Sequence, residues 1–189
     1  ITKNHTSTHV INTSARSVLG SWVWQHSAFK DEDHARLDIT HHSALTDEEV
    51  LQIEQAANSI IEKNIPVKIE NFDRGTAEQK YGFRIYQGGV VPVKSVRIVS
   101  IGDLDVEACG GTHVKKTSEI EQVKITKTKR IQDGVVRIEF VSGDTAKEFT
   151  LKKQQDVESK QEEEKIKELQ KEKRFERKQM DREKIPKII

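Results

Sequence analysis

The amino-acid sequence predicts an α+β fold: a mainly antiparallel sheet with helices packed on one face, followed by a long charged C-terminal helix. The segments follow the order helix–strand–strand–helix–strand and then further strands. Two alternating runs, 120–131 and 135–142, are joined through Asp133-Gly134, which is a strong signal for an antiparallel hairpin. From about Leu151 onward, charged residues and glutamine dominate and apolar residues are sparse, which favours a solvated helix.

The first helix and the two strands after it follow from periodicity. Apolar residues from Val10 to Leu19 recur at helical spacing and stop at Gly20, and glycine commonly ends helices. Residues 21–29 are rich in aromatic side chains, and residues 35–40 alternate apolar and polar side chains as half-buried strands do. The sequence therefore predicts a helix followed by two strands.

A second helix begins at a capping pattern. Thr46 and Glu49 have the spacing of a capping box, and the apolar stripe that follows them ends before Pro66. Residues 67–72 then suggest a strand, and residues 76–81 suggest a short helix. These elements complete the mixed order on which the predicted fold class depends.

Length and composition limit the kind of protein. The 189 residues suffice for one domain, predicted over 1–145, and for an appendage over 146–189, predicted as a truncated, charged helical connector. The net charge of +1 gives no overall basic balance, so any contact with nucleic acid must come from local patches. The single cysteine fits a reducing, cytoplasmic setting, and no apolar run is long enough for a membrane span. A start at Ile1 rather than methionine suggests either a piece of a longer protein or natural processing.

Two histidines stand four residues apart near the start of the chain, in the segment Asn-His-Thr-Ser-Thr-His. Residues at positions i and i+4 share one face of a helix, so the imidazoles of His5 and His9 can converge on one point. By itself this spacing favours two surface histidines. The two histidines indicate a metal site only in combination with a second pair of metal-type ligands further along the chain.

That second pair lies in the segment Ala-Cys-Gly-Gly-Thr-His, after a strand predicted at 96–101. Cys109 is the only cysteine, so it cannot form an internal disulfide. Thiolate and imidazole are both good zinc ligands, and Gly110 and Gly111 let the backbone approach a ligand closely. A lone cysteine is more often a small buried hydrophobe, but the upstream histidine pair favours one shared site. The predicted metal ligands, which are also the predicted catalytic residues, are His5, His9, Cys109 and His113.

The two motifs resemble those of the editing domain of alanyl-tRNA synthetases, in particular the archaeal type, and of its free-standing editing relatives. The family motifs are H-[ST]-x-T-H and C-G-G-T-H, and this chain has both. Three further segments match in order: R-L-D-I-T-H at 36–41, Y-G-F-R-I-Y-Q-G-G at 81–89 and R-I-Q-D-G-V at 130–135. The resemblance covers about residues 4–145. Threonyl-tRNA synthetase has a related editing domain with both ligand pairs, but its loop differs from C-G-G-T-H.

The resemblance implies hydrolysis of the ester that joins a wrong amino acid, serine or glycine, to the terminal adenosine of alanine tRNA, beside a bound zinc. The implied partners are the acceptor end of tRNA(Ala) carrying Ser or Gly and the remaining domains of the synthetase, with no membrane. Such an activity is needed because the size of a binding pocket alone cannot distinguish these amino acids well enough. A pocket that accepts alanine cannot exclude the smaller glycine, and it rejects an added hydroxyl by only roughly two orders of magnitude.

The resemblance also implies residues that bind the amino acid. Thr8, beside His9, and Gln25 match family positions near the bound amino acid. A pocket that hydrogen-bonds the serine hydroxyl would favour the seryl ester over the alanyl ester. Gly110 and Gly111 could offer backbone N–H groups to the substrate or to the developing oxyanion. The alternatives are a plain helix-surface role for Thr8 and a loop-shaping role for the two glycines.

Four ligands raise a difficulty, because four filled positions are typical of a structural zinc site and hydrolytic sites keep one open. Either one ligand is loose, or zinc expands its shell, or zinc positions the substrate and does not activate water. Two rival functions stay open: an RNA-binding module with a structural zinc, and a free-standing deacylase. A zinc peptidase is disfavoured, since residue 6 is Thr where H-E-x-x-H requires glutamate.

Overall fold

The computed structural model describes the backbone of residues 1–89 and 92–183 and, within these ranges, the side chains up to residue 171. The α-helices are α1 (Thr2–Leu19), α2 (Asp47–Glu62), α3 (Arg74–Tyr81) and α4 (Asp144–Glu183). The strands are β1 (Gln25–Lys30), β2 (Ala35–Thr40), β3 (Val67–Asp73), β4 (Ser95–Ile101), β5 (Asp105–Ala108), β6 (Val123–Gln132) and β7 (Val135–Ser142). Short 3₁₀ helices lie at Phe83–Ile85 and Thr117–Ile120.

The strands form two antiparallel sheets, one with the order β1-β2-β7-β6 and the other with the order β3-β4-β5. Helix α1 contacts β2 and helix α2 contacts β6, so both helices pack on the four-stranded sheet. The predicted α+β class with antiparallel strands is therefore confirmed. The division into two sheets was not predicted, because β5 is only four residues long and its alternation is too short to stand out.

Local sequence signals set the helix ends as predicted. At the end of α1, the backbone N–H of Gly20 donates to the Arg16 carbonyl, with φ of 126° at Gly20, a conformation that favours glycine. At the start of α2, the Thr46 hydroxyl accepts from the Glu49 amide, and the Glu49 carboxylate accepts from the Thr46 amide. This is the predicted capping box. Gly82 ends α3.

Two strand predictions had different outcomes. Residues 35–40 match β2 residue for residue. The aromatic segment 21–29 is a strand only from Gln25, because the residues before it form a turn that follows α1. The predicted hairpin is present, since β6 and β7 pair and the turn between them is Asp133-Gly134, with φ of 69° at Gly134.

The main core lies between α1, α2 and the four-stranded sheet. Phe140, Ile11 and Leu37 are among its largest fully buried side chains. Each such side chain contributes about 1.5–3 kcal/mol when removed from water. Ile101 of β4 belongs to the same cluster, whereas Ile98 belongs to a smaller one under the three-stranded sheet. The shared packing fixes the strand that precedes β5 against the helix that carries His5 and His9.

Contacts between residues divide the chain into two compact units, Ile1–Glu148 and Phe149–Ile189. In the second unit α4 continues to Glu183, and the side chains of residues 151–171 are all exposed, as expected for a solvated helix. The helix begins at Asp144, earlier than the composition indicates. Among the described helices, none is both long and apolar enough to cross a membrane.

Candidate metal centre

Helix α1 places two imidazoles on one face. His5 and His9 lie one turn apart within Thr2–Leu19, and their ring centroids are 5.7 Å apart. His9 is buried, whereas His5 is partly exposed. The two histidines therefore lie on one face of α1, as their i, i+4 spacing predicted.

The loop that carries the other pair follows β5. The backbone N–H of Cys109 donates to the carbonyl of Arg97 at 3.0 Å, which extends the pairing of β5 with β4 by one residue. The guanidinium of Arg97 donates in turn to the Cys109 carbonyl at 2.5 Å. These two bonds fix the start of the loop that leads to His113.

The two pairs meet. The ligand atoms of the four predicted residues all lie within 4.8 Å of one another. Cys109 Sγ lies 3.2 Å from His5 Nε2, and the His113 ring centroid lies 4.4 Å from that of His5 and 4.7 Å from that of His9. Donor atoms on a tetrahedral zinc with bonds of roughly 2.0–2.3 Å stand roughly 3.4–3.8 Å apart. The four residues therefore form a group that could hold a metal ion.

An unpaired atom in the cluster supports that fit. His113 Nε2 is buried and has no hydrogen-bond partner among the described residues. The other ring nitrogen, Nδ1, lies 3.2 Å from the hydroxyl of Thr6, which also accepts from the Val114 amide at 3.1 Å. Buried polar atoms are rarely left without a partner. The ring is thus held through Nδ1, while Nε2 faces the other ligand-type atoms.

His9 is held by two carboxylates that extend from β5. Its Nδ1 lies 2.9 Å from Asp105 Oδ2 and 3.2 Å from Glu107 Oε2, and all three side chains are buried. Glu107 Oε1 also accepts from the amide of Asn12 at 2.8 Å. Residues 105 and 107 point to the same side of the strand because side chains alternate along it. A ligating histidine typically donates its second ring N–H to such a carboxylate.

Burial and charge change the pKa values of this group. Burial raises the pKa of the Glu107 carboxyl to about 7, against the attraction of His9, and the nearby charge of Asp105 acts in the same direction as burial. Burial lowers the pKa of His9, but the charge of Glu107 and the bond to Asp105 outweigh burial and raise that pKa well above its ordinary value. Both groups therefore bind a proton more readily here than they would in water.

The Cys109 thiol is acidic. Burial raises its pKa, but the nearby imidazoles of His113, His5 and His9 outweigh burial and lower the pKa to about 3. The thiolate is the form that binds metal ions. Cys109 is therefore ionised and ready to ligate at neutral pH.

The two glycines of the loop differ in their surroundings. A Cβ atom on Gly111 would lie 1.7 Å from Cε1 of His5, so no larger residue fits while His5 keeps its place. A Cβ atom on Gly110 would have nothing within 4 Å. No partner for the amide N–H of either glycine is found among the described residues. Gly111 thus has a steric reason to be glycine, and Gly110 faces open space.

The two predicted amino-acid-binding residues lie on different elements, Thr8 on α1 and Gln25 on β1. Thr8 is 1% exposed, and its hydroxyl donates to the carbonyl of Asn4 at 2.9 Å. It is therefore not a helix-surface residue. Gln25 is half-buried at the start of β1, and its backbone N–H donates to Oε1 of Gln87 at 2.9 Å. Its side-chain amide lies next to Gly88, where a Cβ atom would be 3.4 Å from Nε2.

Sequence reasoning missed the residues that hold His113 and His9 in place, Thr6, Asp105 and Glu107, and the partner of the Gln25 backbone, Gln87. One signal was available. The segment Asp-Val-Glu-Ala-Cys alternates acidic and apolar residues directly before the cysteine. Carboxylates at alternate positions of a strand lie on one side of it, so next to a histidine cluster they are candidate hydrogen-bond partners for the histidines.

Comparisons with known proteins show which family and which relatives this chain is similar to. Residues 96–139 match the family described as the "Threonyl and Alanyl tRNA synthetase second additional domain". The chain is 69% identical over all 189 residues to an alanine–tRNA ligase of Nitrosopumilus maritimus strain SCM1, and it covers 21% of that protein. It is 70% identical over 146 residues to the alanine–tRNA ligase of Cenarchaeum symbiosum strain A (77% of this chain, 16% of the relative). It is 52% identical over 148 residues to that of Methanopyrus kandleri (78% and 16%). The chain therefore spans about a fifth, or less, of the length of the curated relatives it matches.

Proposed function

Because this chain resembles an editing-type segment of archaeal alanine–tRNA ligases and matches their second additional domain, we propose that it is an aminoacyl-tRNA deacylase. It hydrolyses the ester of serine or glycine wrongly attached to tRNA(Ala). One observation carries the proposal: ligand-type atoms from two motifs far apart in the sequence converge within 4.8 Å of one another. The substrate is inferred from the relatives, which are alanine–tRNA ligases, since a ligase for alanine needs a second step to remove these two amino acids.

We assign the bound metal as zinc, held by His5, His9, Cys109 and His113. Nitrogen and sulfur ligands in this ratio suit zinc better than magnesium or calcium, which prefer oxygen. When bound, zinc supplies a positive charge that polarises an ester carbonyl or acidifies water. The fit rests on the unpaired, buried Nε2 of His113 and on the ionised thiol of Cys109.

The other residues of the site hold the ligand side chains in place and orient the substrate. Asp105 and Glu107 fix the ring of His9, and Thr6 fixes that of His113. The free amide N–H groups of Gly110 and Gly111 are donors that suit a developing oxyanion. These roles need little movement during the reaction, because their supports are strand and helix backbone.

Discrimination between amino acids is assigned to Gln25 on β1 and Thr8 on α1. A polar group that pairs with the serine hydroxyl is left unpaired when alanine is bound, so alanyl-tRNA is spared. The Thr8 hydroxyl donates to Asn4 but retains lone pairs that can accept from a serine hydroxyl. The partners in this reaction are the acceptor end of tRNA(Ala) and the other domains of the synthetase.

The test is deacylation of tRNA(Ala) charged with serine, glycine or alanine, by the wild-type chain and by Cys109→Ala. His26→Ala is the matched control, because His26 is an exposed histidine on β1. We expect the wild type and the control to release serine and glycine but spare alanine, and Cys109→Ala to release none. Circular dichroism on the same samples checks the fold. A wild type that binds the tRNA and releases nothing would overturn the deacylase proposal.

A second candidate is an RNA-binding module with a structural zinc. The observation in its favour is the count of four candidate ligands, the number that closed structural sites use. In that case removal of the metal unfolds the domain. In the deacylase, loss of the metal abolishes hydrolysis and leaves the fold in place. A free-standing deacylase would act on the same ester without the other synthetase domains.

A further inference from the structure

Three rings form a cluster that the proposed reaction does not use, with Trp22 and His42 exposed and His41 buried between other groups of the fold. Trp22, His41 and His42, here called the aromatic platform, lie with ring centroids 4.4–6.5 Å apart. Trp22 is 56% exposed although it is one of the largest apolar side chains in the chain. Its indole stacks on His41 at an interplanar angle of 17°. The remaining surface of the indole is open to solvent.

The platform is built by two of the motifs that the metal centre leaves without a role, 36–41 and 130–135. The Thr40 hydroxyl donates to the Trp22 carbonyl at 2.7 Å, and the His41 amide donates to the Gly134 carbonyl at 2.9 Å. The indole N–H of Trp22 donates to His41 Nδ1 at 3.3 Å. The orientation of the rings is therefore fixed by both backbone and side-chain bonds.

An open hollow of about 460 Å³ lies against these rings, lined by Trp22, Thr40, His41, His42 and Gly134. A Cβ atom on Gly134 would have nothing within 4 Å, so the hairpin turn leaves this side free. The indole also lies against Gly20, where a Cβ atom would be 2.4 Å from the ring. The indole is thus supported by backbone, and a planar ligand can reach the part of the ring that stays exposed.

A cationic side chain lies near Trp22. Arg84 is exposed, and its guanidinium donates to the Ser21 carbonyl at 2.9 Å, one residue from Trp22. An acidic side chain, Glu49, lies near the two histidines, and its carboxylate accepts from the amide and hydroxyl of Thr46. The guanidinium of Arg84 has further N–H donors that can bind a phosphate oxygen.

A series of hydrogen bonds runs from Ser21, the residue before Trp22, to the metal centre. Gln87 donates to the carbonyl of Arg84 at 2.9 Å and accepts from Asn12 at 3.3 Å. Asn12 donates to Glu107, the carboxylate that lies 3.2 Å from His9. The platform and the site of the proposed ester cleavage therefore border the same loop, 84–89.

We propose that the aromatic platform stacks an unpaired nucleobase of the RNA whose acylated end enters the metal centre, with Arg84 beside its phosphate. The inference rests on the proposed function. Single-stranded RNA is commonly recognised by bases that stack on aromatic or histidine side chains, next to cationic groups that contact the backbone. Such a contact tolerates any base, because every base has a π-face.

The test measures binding without hydrolysis. A fluorescently labelled single-stranded RNA pentanucleotide ending in adenosine is titrated with the full chain, and so is the same oligonucleotide with one abasic position in turn. The variants are Trp22→Ala, Trp22→Phe and, as matched control, Phe29→Ala, since Phe29 is a 46% exposed aromatic residue on β1 away from the hollow. We expect Trp22→Ala to lose roughly 5- to 150-fold in affinity, the range supplied by one base–aromatic stack. Trp22→Phe should retain part of the affinity, and Phe29→Ala all of it.

The abasic probes separate stacking from charge. At the stacked position the loss of the base should weaken binding to the wild type and leave Trp22→Ala unaffected. Equal affinity of wild type and Trp22→Ala, or no measurable binding of the RNA to the wild type, overturns the proposal. If the RNA binds through Trp22 but no ester is cleaved, the proposed function fails alone. If the ester is cleaved with unchanged KM by Trp22→Ala, the platform proposal fails alone.

Discussion

Nδ1 of His9 lies 2.9 Å from Oδ2 of Asp105, and the two side chains are 3% and 1% exposed. A carboxylate at this distance selects the tautomer in which Nδ1 carries the proton and Nε2 faces the cluster. The same nitrogen also lies 3.2 Å from Glu107, so a second buried acid competes for one N–H. The orientation of a predicted ligand is thus set by a strand that is 96 residues away in the sequence.

Asp105→Asn tests that support. An amide at this position is a weaker acceptor than a carboxylate and carries no charge, so His9 becomes a poorer ligand. We expect zinc affinity, measured by competition with a chelator, to fall about 10- to 100-fold. Asp103→Asn is the matched control, because Asp103 is exposed in the turn before β5. Equal zinc affinity in the two variants would mean that Asp105 does not support the ligand.

The adjacent glycines give a second pair of matched variants. In Gly111→Ala the new methyl would lie 1.7 Å from the His5 ring, so His5 or the loop must move. In Gly110→Ala the methyl meets nothing within 4 Å. We expect Gly111→Ala to lose most of its zinc affinity and deacylation, because a ligand misplaced by about 1 Å can cost on the order of a hundredfold. Gly110→Ala should retain its zinc affinity, and an equal loss in both variants would contradict the steric argument.

Sequence alone predicted the parts of the site that depend on local spacing. His5 and His9 lie on one helix face because of the 3.6-residue period, and Gly20 and Gly82 end their helices as expected. The meeting of the two ligand pairs, 104 residues apart for His5 and Cys109, was favoured by the ligand chemistry of the two motifs and by the family resemblance, not by periodicity. Local periodicity contains no information about which distant segments pack together.

What sequence could not reveal was the set of supporting contacts. Thr6 and Thr8 are equivalent in a sequence motif, yet only Thr6 lies at the His113 ring, while Thr8 donates to its own helix. The choice depends on how the loop packs on α1, and this depends on the whole sheet. Asp105 and Glu107 were missed for the same reason, since a four-residue strand gives too short an alternation to identify.

The acidity of Cys109 predicts an unusual pH dependence of alkylation. The thiolate is the reactive form, and a pKa of about 3 keeps the thiol ionised throughout pH 5–8. An ordinary thiol, with a pKa of roughly 8.5, loses roughly three orders of magnitude in thiolate between pH 8 and pH 5. We expect the metal-free folded protein to react with iodoacetamide at nearly the same rate across this range. The same protein unfolded in urea is the control and should show the ordinary decline; an identical decline in the folded protein would contradict the lowered pKa.

Removal of the metal distinguishes a catalytic centre from a structural one. The main core, which includes Phe140, Ile11 and Leu37, packs α1 and α2 on the four-stranded sheet without help from the ligands. We therefore expect chelation to abolish deacylation while far-UV circular dichroism retains its native shape. Without the metal, the four ligand side chains lose the cation that holds them together. The melting temperature should therefore fall by a few degrees, about what a loss of 1 kcal/mol gives in a domain of this size. Loss of the whole circular dichroism signal on chelation would instead support the RNA-binding module, in which zinc and folding are inseparable.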